Sequence, residues 1–179
     1  IMTKAYSELI SQVPNDLALF GMSDLLTELR QEYPNVNWAP RIKFGGLLDI
    51  PDENGETRAQ GPVIGLAIDL FSPDSREKER LNLERSIVQG HLPQAVGEIV
   101  ISEQFAQNLG VEIGETATLV SATANGSMAI HNFTLVGTIR FGVGAMDKSA
   151  MLADISDIQY ALDMEDGTGE LLGYLPNLI

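Results

Sequence analysis

The sequence predicts an α+β fold whose strands are joined mainly by hairpins rather than by long helical crossovers. Three observations point there. Apolar residues alternate in Thr116–Val120 and again in Ile130–Ile139, with the turn pair Asn125-Gly126 between them. Two longer extended stretches, Val36–Leu48 and Gln60–Leu70, flank Asp52-Glu53-Asn54-Gly55-Glu56. Helical spacing is confined to short pieces, of which Leu25, Leu26, Leu29 and Tyr33 form the clearest.

In chain order, Asp16–Phe20 reads as a short strand. Ser23 is the N-cap of a helix that Pro34 closes, because proline has no N–H to continue the ladder. Val36–Leu48 is a long strand with an irregularity at Pro40. Asn54-Gly55 supplies the positive φ angles of a tight turn, and Gln60–Leu70 returns as the partner strand. Ser72–Arg85 (SPDSREKERLNLER) is charged, with Leu81 and Leu83 its only large apolar residues, and reads as a solvated loop or a partly helical connector. Ser86–Pro93 is an irregular entry into Gly97–Thr118 (GEIVISEQFAQNLGVEIGETAT). There a strand at Glu98–Ile101 leads to a short amphipathic helix at Ser102–Leu109, then a glycine-bounded turn and the Thr116–Ile139 hairpin. Met146–Met151 leads into a short strand. Asp154 or Ser156 caps a helix running to about Met164. Asp166–Gly169 is a flexible turn before a last apolar segment, Leu171–Ile179. No internal repeat or low-complexity tract is visible.

The 179 residues fit one domain or two small ones. With 25 acidic against 11 basic residues the net charge is −14, too acidic for a broad phosphate-binding face or for adsorption on an anionic bilayer. Nucleic acid is therefore excluded as a partner. The absence of cysteine removes disulfides, thiolate catalysis and zinc ribbons. No apolar run reaches the roughly 20 residues of a membrane span, and no signal-peptide h-region follows Ile1-Met2-Thr3-Lys4. Ile1 standing before Met2 reads as the boundary of a piece cut from a longer protein, whose membrane spans would then lie elsewhere.

Chemistry is sparse. His91 lies in a turn beside Leu92-Pro93. His131 alternates with apolar residues and is expected on the outer face of its strand; no Gly-x-Ser-x-Gly elbow accompanies either histidine. The two have no zinc-ligand spacing. Around Asp52–Glu56, Ile50 stands where the first ligand of a calcium loop belongs and Gly61 where the last does. Gly142-Val143-Gly144-Ala145 lacks the third glycine and the following helix of a dinucleotide fingerprint, and there is no Walker sequence. The carboxylate groups Glu53 and Glu56, or Asp163, Glu165 and Asp166, are what so acidic a chain places on solvated faces. Trp38 and the six methionines, Met146 and Met151 among them, read as core. Asn125-Gly126-Ser127 and Asn132-Phe133-Thr134 match glycosylation sequons. The expected site residues are accordingly none: catalytic none, cofactor-binding none, metal none.

The remaining signal is a resemblance. Gly90-His91-Leu92-Pro93 followed by Gly97–Thr118 is similar to the pattern G-x-L-P … GEIVIG … LA-x-x-LGV-x-x-GD, with Ser102 for the common glycine and Glu115 for the common aspartate. Phe133–Ile139 is similar to an F-x-V-x-G-I-F strand. Met146-Asp147-Lys148-Ser149, Met151 and Asp154–Met164 are similar to a hydrophobic-D-x-S … strand … D-x-Q-x-x-L segment. Ala39–Ile42 and Gly65–Asp69 match earlier strands more loosely. In this order, over about Val36–Met164, the chain resembles the periplasmic domains of ABC-transporter permeases of the macrolide-exporter and lipoprotein-releasing type (MacB-like, LolC/LolE-like, FtsX-type).

The resemblance implies a porter-like β-α-β part at residues 1–71, rejoined by 153–179, with a β-rich subdomain inserted at 72–152. It implies a non-enzymatic, cofactor-free domain on the periplasmic side of the cell inner membrane, coupling ATP hydrolysis elsewhere to export or to lipoprotein or substrate release. The implied partners are the transmembrane helices of the permease, a separate ATPase subunit or domain, and a periplasmic carrier or adaptor, in a dimeric parent. Both ends of the chain are then expected on one side of the fold. Two departures stand out. The connection Ser121–Ala129 is short and lacks the proline-flanked loop used for carrier docking, and no closing β-α-β follows Met164. Two alternatives remain: a double-psi-type β-barrel binding module, suggested by the Leu-Gly-Val-x-x-Gly-Glu-Thr turn although no second copy is seen, and a hydrolase using two carboxylates in one cleft.

Overall fold

A computed structural model describes residues 1–176; residues 177–179 of the expected closing segment Leu171–Ile179 lie outside the described residues. The elements in order are α1 (Lys4–Glu8), β1 (Leu19–Phe20), α2 (Met22–Glu32), β2 (Asn37–Pro51), β3 (Thr57–Ile68), α3 (Glu77–Arg80), α4 (Leu83–Ser86) and β4 (Ile87–Gly90). They continue with β5 (Glu98–Ser102), α5 (Glu103–Leu109), β6 (Thr116–Ala122), β7 (Met128–Ile139), α6 (Met146–Ser149), β8 (Ala150–Asp154), α7 (Ile155–Ala161), β9 (Gly167–Thr168) and β10 (Glu170–Tyr174). The α+β class holds.

Six strands close on themselves. β2 pairs β3, β3 pairs β8, β8 pairs β5, β5 pairs β7, β7 pairs β6, and β6 returns to β2. β10 and β4 lie outside this ring, extending β2 and β7. Ring closure leaves these six strands with few bare edges, which is how β proteins suppress edge-to-edge association. The pairing pattern has a two-fold character. Hairpin β2–β3 matches hairpin β6–β7, and the parallel pair β3/β8 matches the parallel pair β7/β5. The antiparallel pairs β2/β6 and β8/β5 join the halves.

The turn motif after α5 also has a counterpart after α7, contrary to the expectation of a single copy. Gly110 is left-handed (φ 61°), and Val111 N–H reaches back to Ala106 O. Asp163 is left-handed as well (φ 53°), and Met164 N–H reaches back the same five residues to Gln159 O. Both are left-handed helix C-terminal motifs, in which the chain reverses and drops an apolar residue, Val111 or Met164, into the core.

Inward positions of the ring alternate as the pleat requires: Ile42, Phe44, Leu48 and Ile50 on β2, Ile99 and Ile101 on β5, Leu119 on β6, Phe133 and Leu135 on β7. Phe105 and Leu109 from α5 and Ile158 and Leu162 from α7 join the same cluster. Intervening residues such as Val100, Val136 and Leu152 instead pack under Leu70 and Leu83. A third cluster sets α2, through Met22 and Leu29, on Leu171 of β10 and Trp38 of β2.

Several local expectations change. Asp16–Phe20 is a single 3₁₀ turn (Asn15–Leu17) followed by the two-residue β1. Ser23 is not the N-cap. That position is the left-handed Gly21, and the capping carboxylate comes from far along the chain: Asp166 Oδ1 accepts from Ser23 N–H (2.8 Å) and Ser23 Oγ (2.6 Å). β2 runs through Pro40 without a register shift, because its β10 partner Leu171 bonds Ile1 instead, and on the other flank pairing with β3 begins only at Arg41. In the hairpin loop only Gly55 has positive φ; Asp52 closes the turn by accepting from Asn54 N–H and Glu56 N–H. The α7 helix ends at Ala161 rather than at Met164.

Two larger findings concern solvation. Asp166–Gly169 is not a flexible turn: Asp166 caps α2, β9 pairs β1 and Thr168 is wholly buried. Of the two readings of Ser72–Arg85, the partly helical connector holds and the solvated loop does not: α3 carries a buried glutamate, Glu77, and α4 anchors through buried Leu83. Strands from both sides of the 71/72 and 152/153 boundaries share one sheet, through the β2/β6 and β3/β8 ladders.

Candidate functional site

The signature turn is held by a fork of charge. Arg58 of β3 donates from both terminal nitrogens to Glu115 (3.0 Å each) and from Nη2 to Gly110 O (3.2 Å). Glu115 Oε2 also accepts Glu112 N–H at 2.7 Å, so its carboxyl is held below the usual range, first by Arg58 and then by that backbone donor. The acidic residue at this point of the motif therefore ties the turn to the first hairpin. Its geometry is structural, and it offers no reacting group.

The charged connector supplies the most elaborate polar cluster. Glu77, only 1% exposed, accepts Arg41 Nε at 2.6 Å through Oε2 and Arg80 Nη1 through Oε1. Arg41 Nη2 donates to Tyr174 Oη (3.0 Å), and Arg80 Nη2 to Asn37 Oδ1 (2.6 Å). The Arg80 guanidinium lies 3.8 Å from the Tyr174 ring centroid, a cation–π stack. Burial alone would lower the Arg41 pKa; the Glu77 carboxylate reverses this, and the net shift is upward. This junction clamps α3 onto the start of β2 and the end of β10, and its polar groups are spent on one another.

His91 sits in its turn with Nδ1 2.8 Å from Leu92 O. His131 is a correction: it lies on the inward-facing set of β7 residues, with its ring edge-on to Phe133 (4.7 Å) and Tyr160 (5.7 Å). The outer face was expected because its sequence neighbours alternate, but alternation does not say which set is inward. Among the described residues no group of three or more His, Asp or Glu side chains is placed to hold a metal ion. Of the acidic pairs noted in the sequence, Asp166 caps α2, Asp163 forms the second left-handed turn, and Glu53 and Glu56 stay at the hairpin tip. Trp38 packs against the Met22–Leu29–Leu171 cluster, and Met22, Met151 and Met164 are buried, as expected for core; Met128 departs from that expectation and is exposed.

Asp154 fulfils its expected role, capping α7 through Ser156 N–H (2.9 Å) while Oδ2 accepts Leu70 N–H (2.8 Å). One turn on, buried Asp157 accepts Gly97 N–H at 3.0 Å. Burial raises its pKa above the ordinary 3.8, partly offset by the Gly97 donor. A raised folded-state pKa means that the native chain binds this proton more tightly than the unfolded chain. Stability associated with Asp157 is therefore present at low pH and lost as pH climbs through the raised value. Asp157→Asn, which keeps an acceptor for Gly97, is expected to raise Tm slightly at pH 7, with the gain vanishing below pH 3.8; thermal melts across pH check this.

The exterior of the ring carries an apolar row. Ladder partners Pro62, Leu47, Val120 and Ile130 lie side by side across β3, β2, β6 and β7. Ile130 is 65% exposed, and Met128, two residues away at the hairpin end, is 74% exposed. Outward positions of a one-sided sheet are ordinarily polar, and this apolar row departs from that rule.

No protein-family description and no curated protein matches this sequence. Solved structures do. The chain superposes on the periplasmic region of MacB from Actinobacillus actinomycetemcomitans with a TM-score of 0.56 at 14% identity, covering 90% of this chain and 67% of that one. It also superposes on the extracellular domain of the noncanonic ABC-type transporter YknZ from Gram-positive bacteria, with a TM-score of 0.60 at 10% identity, covering 93% of this chain and 77% of that one. The fold is therefore that of the extracytoplasmic domain of MacB-like transporters, as the ordered motifs suggested.

Proposed function

We propose that this chain is the extracytoplasmic, non-catalytic domain of an ABC-transporter permease, which couples ATP hydrolysis elsewhere in the assembly to export or to lipoprotein or substrate release. One observation carries the reading: two transporter domains share its fold over at least nine-tenths of its length. The independent motif resemblance supports it, as does the absorption of the signature's charged residues into structural contacts. Ile1 and Leu171 exchange backbone hydrogen bonds (2.6 and 2.8 Å), in keeping with both ends leaving from one side toward a bilayer. The six-stranded ring is the architecture that the binding-module alternative called for; the fold shared with two transporter domains favours the transporter reading.

The two-part organisation is proposed with a boundary inside β2. Residues 37–41 pair β10 beneath α2, forming the porter-like layer, and from Arg41 onward β2 enters the ring. The inserted β-rich unit is then the ring itself. The partners are the permease helices, an ATPase subunit or domain, and a periplasmic carrier or adaptor, for which the apolar row ending at Met128 is the contact face we assign.

These 179 residues contain no cysteine, so with any cysteine elsewhere in the full-length protein replaced by serine, a single introduced thiol reports the side of the membrane on which this domain lies. Asn54→Cys at the hairpin tip of the full-length protein is expected to react with a membrane-impermeant maleimide in intact spheroplasts. Labelling only after lysis would overturn the assignment. Calorimetry of the isolated chain with ATP should show no saturable heat.

A further inference from the structure

The two-fold character of the ring separates what the fold demands of its exterior from what it does not. The β2/β6 ladder is centred on Leu48 and Leu119. Half a turn about that pair exchanges Leu47 with Thr118, Val120 with Asp49, Pro62 with Asn132 and Ile130 with Gln60. The apolar row Pro62–Leu47–Val120–Ile130 therefore has a structural counterpart in the row Gln60–Asp49–Thr118–Asn132, two residues along the same strands. Equivalent positions are apolar in one half and polar in the other, so the architecture requires neither. On the other side of the apolar row, Ile64 pairs Gly45 and Met128 pairs Ala122. Ile64 is 56% exposed, and the small residues Gly45 and Ala122 line a cleft of about 730 Å³ beside Leu9, Val13 and Pro14.

The charge on this face is one-sided. The arginines and lysine of β2, β3, β6 and β7 are Arg41, Lys43 and Arg58, already paired with Glu77, Glu170 and Glu115. The one carboxylate of these four strands, Asp49, has no ion pair among the described residues, and its Oδ1 accepts no hydrogen bond. Asp16, in the wall of the cleft, has no ion pair either.

Resting on the contact-face reading above, we propose that this face binds an amphipathic helix of the partner, its apolar stripe laid across β3, β2, β6 and β7 and its basic residues over Asp49. At the middle of the row β2 and β6 have both flanks paired, so no strand can be added there and the contact is made by side chains. Neighbouring strands lie about 4.8 Å apart, so the four-residue row spans about 14 Å, roughly ten residues of helix. Helix positions i, i+3, i+4 and i+7 repeat at nearly the strand spacing. The polar row lies about 7 Å aside, within the width of one helix. A second copy of this chain, at net charge −14, would bring like charge to Asp49, and an anionic bilayer would do the same.

The probes are the acetylated, amidated peptide LKKLLKKLKKLLKKL, its counterpart LEELLEELEELLEEL, and LLKKKLLKKKLLKKL, which keeps the composition of the first and breaks its stripe. The first should bind saturably by fluorescence anisotropy and shift the Leu47, Val120 and Ile130 backbone N–H resonances. The other two should bind about tenfold or more weakly. Ile130→Asn and Met128→Asn should each weaken the first peptide about tenfold, and Asp49→Asn several-fold, with melts unchanged. Val96→Asn, at a 76% exposed apolar residue elsewhere, should leave binding as it was. Equal binding of the broken-stripe peptide would reduce the contact to charge attraction and overturn the proposal. So would equal binding of the glutamate peptide, indifference to both Ile130→Asn and Met128→Asn, or no saturable response up to millimolar peptide. Thiol labelling of Asn54→Cys reads the side of the membrane separately, so external labelling beside a failed titration would strike the helix and leave the transporter reading.

Discussion

Glu77→Gln is expected to lower the unfolding free energy by about 3–5 kcal/mol, because it strands two buried guanidinium groups on a single neutral acceptor. For a chain of this size that corresponds to a fall in Tm of about 6–20 °C. Arg41 and Arg80 side chains are 13% and 6% exposed, so neither can recover its hydration without displacing α3 from β2. Replacing the whole ionic group by apolar residues of similar volume (Arg41→Met, Glu77→Leu, Arg80→Met) should cost much less than the single change, since a buried pair is held mainly against the alternative of a lone charge. Urea titrations of both variants check this. A Glu77→Gln loss below about 1 kcal/mol would mean that the connector is hydrated after all.

Gly65→Ala is expected to destabilise by about 1–3 kcal/mol, through a clash rather than a lost contact. The Phe44 ring covers Gly65 across the β2–β3 ladder, and a methyl group there would lie 2.0 Å from Phe44 Cζ. Phe44→Ala alone should cost about 3–5 kcal/mol by emptying the ring interior. The double variant should be less destabilised than the sum by at least about 0.5 kcal/mol, because removing the ring relieves the new methyl group. Additive behaviour in the double-mutant cycle would show that the two positions do not share the space.

What was legible beforehand was local. The two hairpins, the strand–helix–turn of Gly97–Thr118 and the Asp154 cap all depend on residues a few places apart, and all appear at or near their expected positions. What was not legible depends on partners distant in sequence. Ser72–Arg85 looks solvated because Glu77 meets Arg41, 36 residues back, and the junction is completed by Tyr174. Ser23 looks like a cap because Asp166, which does the capping, is 143 residues away. The second helix-terminating turn was hidden because Asp163 adopts the left-handed conformation that Gly110 adopts in the first. The ring itself could not be read from alternation, which gives strands but not their neighbours. The candidate interaction surfaces follow the same division. Met128 and Ile130 were visible as apolar residues, yet only the ladder through Val120 and Leu47 makes them a row.

β2 is the one strand that belongs both to the layer under α2 and to the ring. Its 15 residues extend over about 50 Å at strand rise, without a register break until Ile50/Pro51. A pull on β10 is taken up in shear along the Asn37–Arg41 ladder, and the same backbone delivers it to the far rim beside β6. Since the ring has no free edge from which to peel, load reaching β2 inside it is shared between β3 on one flank and β6 on the other.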